Sequence, residues 1–128
     1  MPGLKTHSNN LIKILQSCFK EENEVLERIN VNIEISIVEW VFSLFSSMIP
    51  LEIQLDFYEG FFVDGWDFFY KVCVSIIKSI NLINQNYSDP EDVYIALKLG
   101  KYTDIDKQDK IKKWKEIIKN AYKLEINS

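Results

Sequence analysis

The chain has 128 residues, of which 47% are hydrophobic and 27% charged, a composition that is typical of one folded domain and excludes a wholly disordered chain. With 4 glycines and 3 prolines, the sequence has too few turn residues for a many-stranded sandwich and favours long helices. The net charge of −4 argues against nucleic acid as a partner. No apolar stretch reaches the ~18 residues that a membrane-spanning helix needs.

The first half of the chain predicts a short tail followed by helices. Residues 1–9 are expected to be a disordered N-terminal tail, and the domain is expected to cover residues 10–126. Ser8 is a candidate cap for a first helix over 10–19. A short helical turn ending near residue 29 and a long helix over 34–48 follow, and Pro50 opens a third helix over 50–62.

The second half begins at Asp64-Gly65, a clear break before a long helix over 66–84. The run 88–92, Ser-Asp-Pro-Glu-Asp, combines a capping residue, a first-turn proline and acids near the positive end of the helix dipole. That helix is expected to close at Gly100, and a last helix over 104–123 carries lysines on its outer side. No segment alternates as a strand would, so the sequence predicts an all-α array of about six to seven helices.

The polar residues exclude several kinds of catalytic site. His7 is the only histidine, so a Ser or Cys nucleophile would lack its usual base, and a His/Cys metal cluster cannot form. His7 itself lies in the predicted tail and is expected to be inert. Asp64 and Asp67 are expected to cap helix starts rather than act as an acid–base pair. We therefore predict no catalytic, cofactor-binding or metal-binding residue, and no cofactor.

The cysteines and the N-terminal residues indicate the cellular compartment. Cys18 and Cys73 lie inside apolar helical patterns, which is typical of buried thiols in a reducing compartment. No apolar segment ending in small residues follows Lys5, so no signal peptide is expected and the predicted location is cytoplasmic.

Residues 1–67 carry a net charge of −7 and residues 68–128 a net charge of +3. The basic last helix is predicted to be a solvated face, with contact to an anionic membrane as the alternative.

Arg28 is the only arginine of the chain. An arginine that stabilises a phosphoryl-transfer transition state must be held beside the phosphate. Arg28 instead follows Glu22, Glu24 and Glu27 at short helical spacings. We therefore expect it to form surface salt bridges.

Aromatic residues are concentrated between residues 57 and 70, where eight rings fall within fourteen positions. Most of them are expected to build a helix–helix core. Eight rings cannot all face one helical stripe, so some must meet solvent, a neighbouring domain or a partner. Because the break at Pro50 folds one helix back on the other, we expect one buried cluster made of Trp40, Phe45, Tyr58 and Trp66.

The segment 40–50, Trp-Val-Phe-Ser-Leu-Phe-Ser-Ser-Met-Ile-Pro, resembles the "WFLTLFSxxLP" helix of TBC domains, the Rab GTPase-activating family. The segment 55–66, which ends in Asp64-Gly65-Trp66, follows at the family's spacing and resembles "LRIWDxFFxEGW". Residues 69–74 resemble the family's "LFRVAL" helix, and the likeness extends over roughly 11–126. The resemblance implies the C-terminal half of a TBC fold, a Rab-type small GTPase as partner of the full-length protein, and a role in vesicle trafficking.

The chain departs from the family pattern in two respects. Asp56-Phe57-Tyr58-Glu59 stands where the family has Arg-Ile-Trp-Asp. The family's catalytic arginine, in an "IxxDxxR" motif, and glutamine, in a "YxQ" motif, belong to its N-terminal half; neither motif occurs here, and Gln16 and Gln54 do not follow a tyrosine in that way. The resemblance therefore implies an activator fragment that is not itself an enzyme and that forms part of the scaffold.

Three further expectations concern the alternative function, the oligomeric state and the membrane. The alternative function is a stand-alone helical protein-interaction module without GTPase-activating activity. A fragment that has lost its N-terminal half would expose apolar side chains, so we expect a homodimer or an exchange of terminal helices, with hinges at 87–89 and 101–103. Membrane contact would be at most peripheral, through a Rab partner at endomembranes.

Overall fold

The structure is a computed structural model, and it describes residues 2–43, 49–98 and 107–125. The described residues form seven helices and no strand, which confirms the all-α prediction. In chain order the helices are α1 (Pro2–Cys18), α2 (Lys20–Arg28), α3 (Ile33–Ser43), α4 (Leu51–Asp64), α5 (Trp66–Ser79), α6 (Pro90–Leu97) and α7 (Lys107–Lys123).

Helix α5 lies at the centre of the packing. It packs against α4 and α7, and α4 also packs against α7, while α1 packs against α2 and α3. Nine of the fourteen residues of α5 are buried, and the side chains of Trp114, Ile117 and Ile118 on α7 are buried as well. The hydroxyl of Ser75 donates a 2.8 Å hydrogen bond to the carbonyl of Ile117, so this buried hydroxyl has a partner.

The ends of several helices follow from local sequence. Asp89 caps α6 by accepting a 3.0 Å hydrogen bond from the N–H of Glu91, and Pro90 occupies the first turn, as predicted. Asn30 and Asn81 have φ values of 65° and 56° just after α2 and α5. Asparagine tolerates this left-handed conformation better than most residues, so both positions end their helices.

Two predicted boundaries differ from the structure. The helix predicted over 66–84 ends at Ser79, because Asn81 turns the backbone into the left-handed region. Helix α1 begins at Pro2, within residues that were predicted as a disordered tail. Ser8, the predicted cap, is instead buried inside α1, where its hydroxyl has no hydrogen-bond partner among the described residues. Residues 44–48 and 99–106 lie outside the described residues, and with them the predicted helix ends at 48, 100 and 104 and the predicted hinge at 101–103.

The two cysteines are free, with Cys73 buried and Cys18 half-buried. Burial raises the pKa of the Cys73 thiol well above its ordinary value, so this sulfur stays protonated and packs as an apolar group. None of the helices in the described parts of the chain is both long and apolar enough to cross a membrane.

Candidate functional site on the α4–α5 hairpin

A single glycine joins α4 to α5. Gly65 has φ 64° and ψ −141°, a backbone conformation that is open almost only to glycine, and its N–H donates a 2.7 Å hydrogen bond to the carbonyl of Phe61. Asp64 and Asp67 lie on either side of this turn and are exposed. The prediction that they cap helix starts is wrong, because Gly65 occupies the cap position and no side chain caps α5.

A second glycine lets the two helices approach. A Cβ atom placed on Gly60 would lie 2.5 Å from the ring of Phe68, far closer than two carbon atoms can approach. Phe68 is fully buried, and its ring centroid lies 5.9 Å from that of Phe57 on α4. The absence of a side chain at Gly60 therefore makes room for the Phe68 ring in the hairpin core.

Four rings meet where the hairpin turn contacts α1; we call His7, Phe61, Trp66 and Phe69 the aromatic junction. The Trp66 ring packs edge-on against Phe61, at 5.3 Å between centroids, and against Phe69, at 5.0 Å. The imidazole of His7 stacks on Trp66 with centroids 3.6 Å apart and an interplanar angle of 23°. Stacked and edge-on rings of this kind add to the stability that burial alone supplies.

His7 is also held by hydrogen bonds on α1, and so it does not lie in a disordered tail as predicted. Its Nδ1 lies 2.8 Å from the hydroxyl oxygen of Tyr70, and the side-chain amide of Asn10 donates to the same oxygen at 3.1 Å. Because Tyr70 accepts from Asn10, its own proton is free to be donated to a neutral His7 ring. Burial lowers the pKa of His7 below its ordinary value of 6.5, in keeping with a neutral ring.

The predicted aromatic cluster is confirmed in part. Trp40 is buried in the hydrophobic core, and Tyr58 and Trp66 are half-buried and pack against that core. The ring contact of Tyr58 is with Phe57, at 5.3 Å, and not with Trp66. Phe45 lies outside the described residues.

The outward side of α4 carries a stripe of apolar side chains, three of which are exposed. Leu51, Leu55 and Phe62 are 80%, 68% and 84% exposed. With the half-buried Tyr58 they follow one another at intervals of four, three and four residues, which places them on one face of the helix. We call these four residues the outer stripe.

Acidic residues flank the outer stripe. Helix α4 carries four acids and no basic residue; the acids are Glu52, Asp56, Glu59 and Asp64. Asp56 and Glu59 are exposed, and neither carboxylate forms an ion pair with any residue the structure describes. The hydroxyl of Tyr122 on α7 donates to the backbone carbonyl of Asp56 at 3.3 Å. The pKa of Tyr122 is raised by its own partial burial and by the negative charges of Glu59, Asp56 and Asp64.

Of the residues considered for GTPase chemistry, Arg28 and Gln16 lie outside the α4–α5 hairpin, whereas Gln54 lies on α4. Arg28 is exposed in the last turn of α2, where its charge suits the helix dipole. Within the described ranges it forms no ion pair, so the predicted salt bridges are not found. Gln16 is exposed on α1, and the side-chain amide of Gln54 donates to the carbonyl of Ile49 at 3.2 Å.

Two clefts are lined in part by lysines. One of about 490 Å³ lies along α7 and contains Lys112, Lys113 and Glu116. Another of about 590 Å³ lies where α1 meets α2 and contains Cys18. Lys78 borders it, with its Nζ 3.9 Å from Glu22 Oε1 and 5.0 Å from the centroid of the Phe19 ring. In residues 2–43, 49–98 and 107–125, no three His, Cys, Asp or Glu side chains are placed to hold a metal ion.

The comparison with protein families is consistent with this geometry. The model of the Rab-GTPase-TBC domain matches residues 1–83. The chain belongs to this family. The matched residues run from α1 through the end of α5, so they include the hairpin and the three segments 40–50, 55–66 and 69–74 in which the sequence resembles TBC domains. No curated protein and no solved structure matches the chain.

The match also refines the extent of the resemblance. The likeness seen in the sequence extends from about residue 11 to 126, whereas the TBC match begins at residue 1 and ends at residue 83. The N-terminal turns of α1, including His7, therefore fall within the matched part of the chain. Helices α6 and α7 fall outside it.

Proposed function

We propose that the chain forms the C-terminal part of a Rab GTPase-activating TBC domain and acts there as scaffold. The observation that carries this proposal is the family match over α1–α5, which includes the glycine-closed hairpin. In this proposal the catalytic arginine and glutamine belong to a part of the protein that precedes this chain. The chain itself supplies no catalytic residue, and its partner in the complete protein is a Rab-type GTPase in the cytoplasm or at an endomembrane.

The position of Arg28 supports the scaffold role. Its guanidinium is exposed at the end of α2 and contacts no described ring or carboxylate. A catalytic arginine that raises the rate of GTP hydrolysis by ~10³–10⁵ must be held in one geometry against the phosphate. We therefore expect the 128-residue chain to leave single-turnover GTP hydrolysis by a panel of Rab-type GTPases unchanged.

The deciding experiment uses the coding sequence upstream of Met1. If it encodes in-frame arginine and glutamine motifs, the longer protein should accelerate hydrolysis by ~10³–10⁵, and alanine at that arginine should remove the effect. Arg28→Ala in the longer protein is the matched control and should leave the rate unchanged. An upstream frame without these motifs, or acceleration by this chain that Arg28→Ala abolishes, would contradict the proposal.

A second candidate function is a stand-alone interaction module of the TBC family without activating activity. The observation in its favour is the outer stripe of α4, which exposes leucine and phenylalanine on a helix whose opposite side is already in the core. Exposed apolar faces of this kind mark sites of protein association. Binding of a partner protein with no effect on GTP hydrolysis, by a protein that lacks the upstream motifs, would favour this candidate.

A further inference from the structure

Three of the four residues in the outer stripe are not required for the packing of the hairpin, whereas Tyr58 packs partly against the core. Helix α4 contacts the core through Ile53 and Phe57, which are 1% and 0% exposed, and through Gly60. Leu51, Leu55 and Phe62 lie on a different side of the helix and are more than two-thirds exposed. Since the transfer of exposed apolar side chains out of water is favourable, this row is a favourable surface for a second helix.

The charges beside the stripe indicate which kind of helix fits. Asp56 and Glu59 lie on the flank of the outer stripe, exposed and without a basic partner among the described residues. A helix that covered Leu55 and Phe62 would bring its own flank against these carboxylates. Lysine or arginine on that flank would complete ion pairs, whereas acidic residues would be repelled.

A second copy of the chain fits this surface poorly. Two α4 helices paired by their stripes would bring the exposed carboxylates of Asp56 and Glu59 from both copies together, and α4 carries no basic residue to separate them. Helix α7 has lysines to offer, but the apolar side chains of Trp114, Ile117 and Ile118 are buried in its own core and cannot cover the stripe. An anionic membrane would likewise be repelled by the acids.

We propose that the outer stripe of α4 binds a basic amphipathic helix of a partner protein. The partner helix carries apolar residues at helical spacing, which cover Leu55 and Phe62, and lysine or arginine residues that pair with Asp56 and Glu59. The proposal is independent of GTPase activation, since it rests only on the exposure and charge of α4.

The test uses the whole chain and two synthetic helices of about 18 residues, or about five turns. One peptide has leucines at four- and three-residue spacing with lysines on the flank, and the other has glutamate in place of every lysine. Fluorescence anisotropy should show binding of the lysine peptide only, with affinity that falls as salt is raised. Leu55→Ser should weaken binding by about tenfold or more, as expected for a central apolar contact.

Two controls separate this site from general adhesion of a basic peptide to an acidic protein. Ile95→Ser removes an apolar residue that is 49% exposed on α6 and should leave the affinity unchanged. The double variant Asp56→Lys, Glu59→Lys should reverse the preference, so that it binds the glutamate peptide. All of these residues are exposed, and circular dichroism verifies that each variant is folded.

Several results would overturn the proposal. They are absence of binding by the lysine peptide, equal binding of both peptides to the unaltered chain, and an equal loss in Ile95→Ser and Leu55→Ser. Light scattering provides a further test: a dimer that Leu55→Ser dissociates would show that a second copy occupies the stripe.

Discussion

Helices α4 and α5 are both 14 residues long, both rich in apolar residues, and joined by Gly65 alone. Nine residues of α5 are buried, among them the unbroken run from Val72 to Ile77, whereas three residues of α4 are buried. Helix α5 packs between α4 and α7, while α4 keeps one side free of any described neighbour. Similar composition therefore leads to opposite burial, and position in the array decides which apolar residues stabilise the fold.

This difference separates two uses of the same residue types. Phe68 on α5 is enclosed by Phe57, Gly60 and Tyr122, so its ring contributes to folding. Phe62 on α4 is 84% exposed and contributes little to folding. An apolar surface that the fold does not need, next to unpaired acids, is better explained by recognition than by stability.

The largest expected effect comes from truncating one phenylalanine on each helix. Phe68→Ala should lower the free energy of unfolding by ~3–5 kcal/mol, because it leaves a cavity between α4, α5 and α7. Phe62→Ala should change it by less than about 0.5 kcal/mol, because the side chain is already in water. Urea denaturation followed by circular dichroism measures both. Equal losses in the two variants would mean that α4 is as enclosed as α5.

A smaller effect is expected from filling the space at Gly60. Gly60→Ala should lower the free energy of unfolding by ~1–3 kcal/mol, because the new methyl group overlaps the buried Phe68 ring. In a Phe68→Ala background the same change should cost nothing or stabilise α4, since alanine is the better helix former by ~1 kcal/mol. Four denaturation curves complete this double-mutant cycle. A coupling of zero between the two sites would contradict the close approach of the helices at this point.

Much of the fold was predictable because its signals are local. Three features depend on residues within one or two turns of each other: the start of α6 at Asp89-Pro90, the break at Gly65 and the inward face of α7. The TBC resemblance depends on the spacing of Trp40, Pro50 and Trp66, and the family match confirms it. Arg28 was correctly placed on the surface, although its predicted salt bridges are not found.

What could not be predicted depends on contacts between distant residues. Helix α4 is apolar on its inner and outer sides, so periodicity alone does not tell which side faces the core. The available signal for the outer stripe was the spacing by four, three and four residues of Leu51, Leu55, Tyr58 and Phe62. The ordered start of α1 depends on Tyr70, which lies 63 residues from His7 in the chain. No local pattern near Pro2 indicates that partner.

The smallest expected effect concerns the N-terminus of α5, where His7 stacks on Trp66. The pKa of His7 is below 6.5 in the folded chain and close to 6.5 when it is unfolded. As pH falls through 6.5 the unfolded chain therefore binds more protons, and the free energy of unfolding falls. The variant His7→Phe keeps an aromatic ring on Trp66 but cannot titrate. The stability of this variant relative to the unaltered chain should therefore rise as the pH is lowered from about 7.5 to about 5.5. Urea denaturation at both pH values measures this difference. A difference that does not change with pH would mean that folding does not lower the pKa of His7. A difference that favours the unaltered chain in acid would mean that Trp66 and Tyr70 stabilise a charged imidazole, and the aromatic junction would then hold a cation rather than a neutral ring.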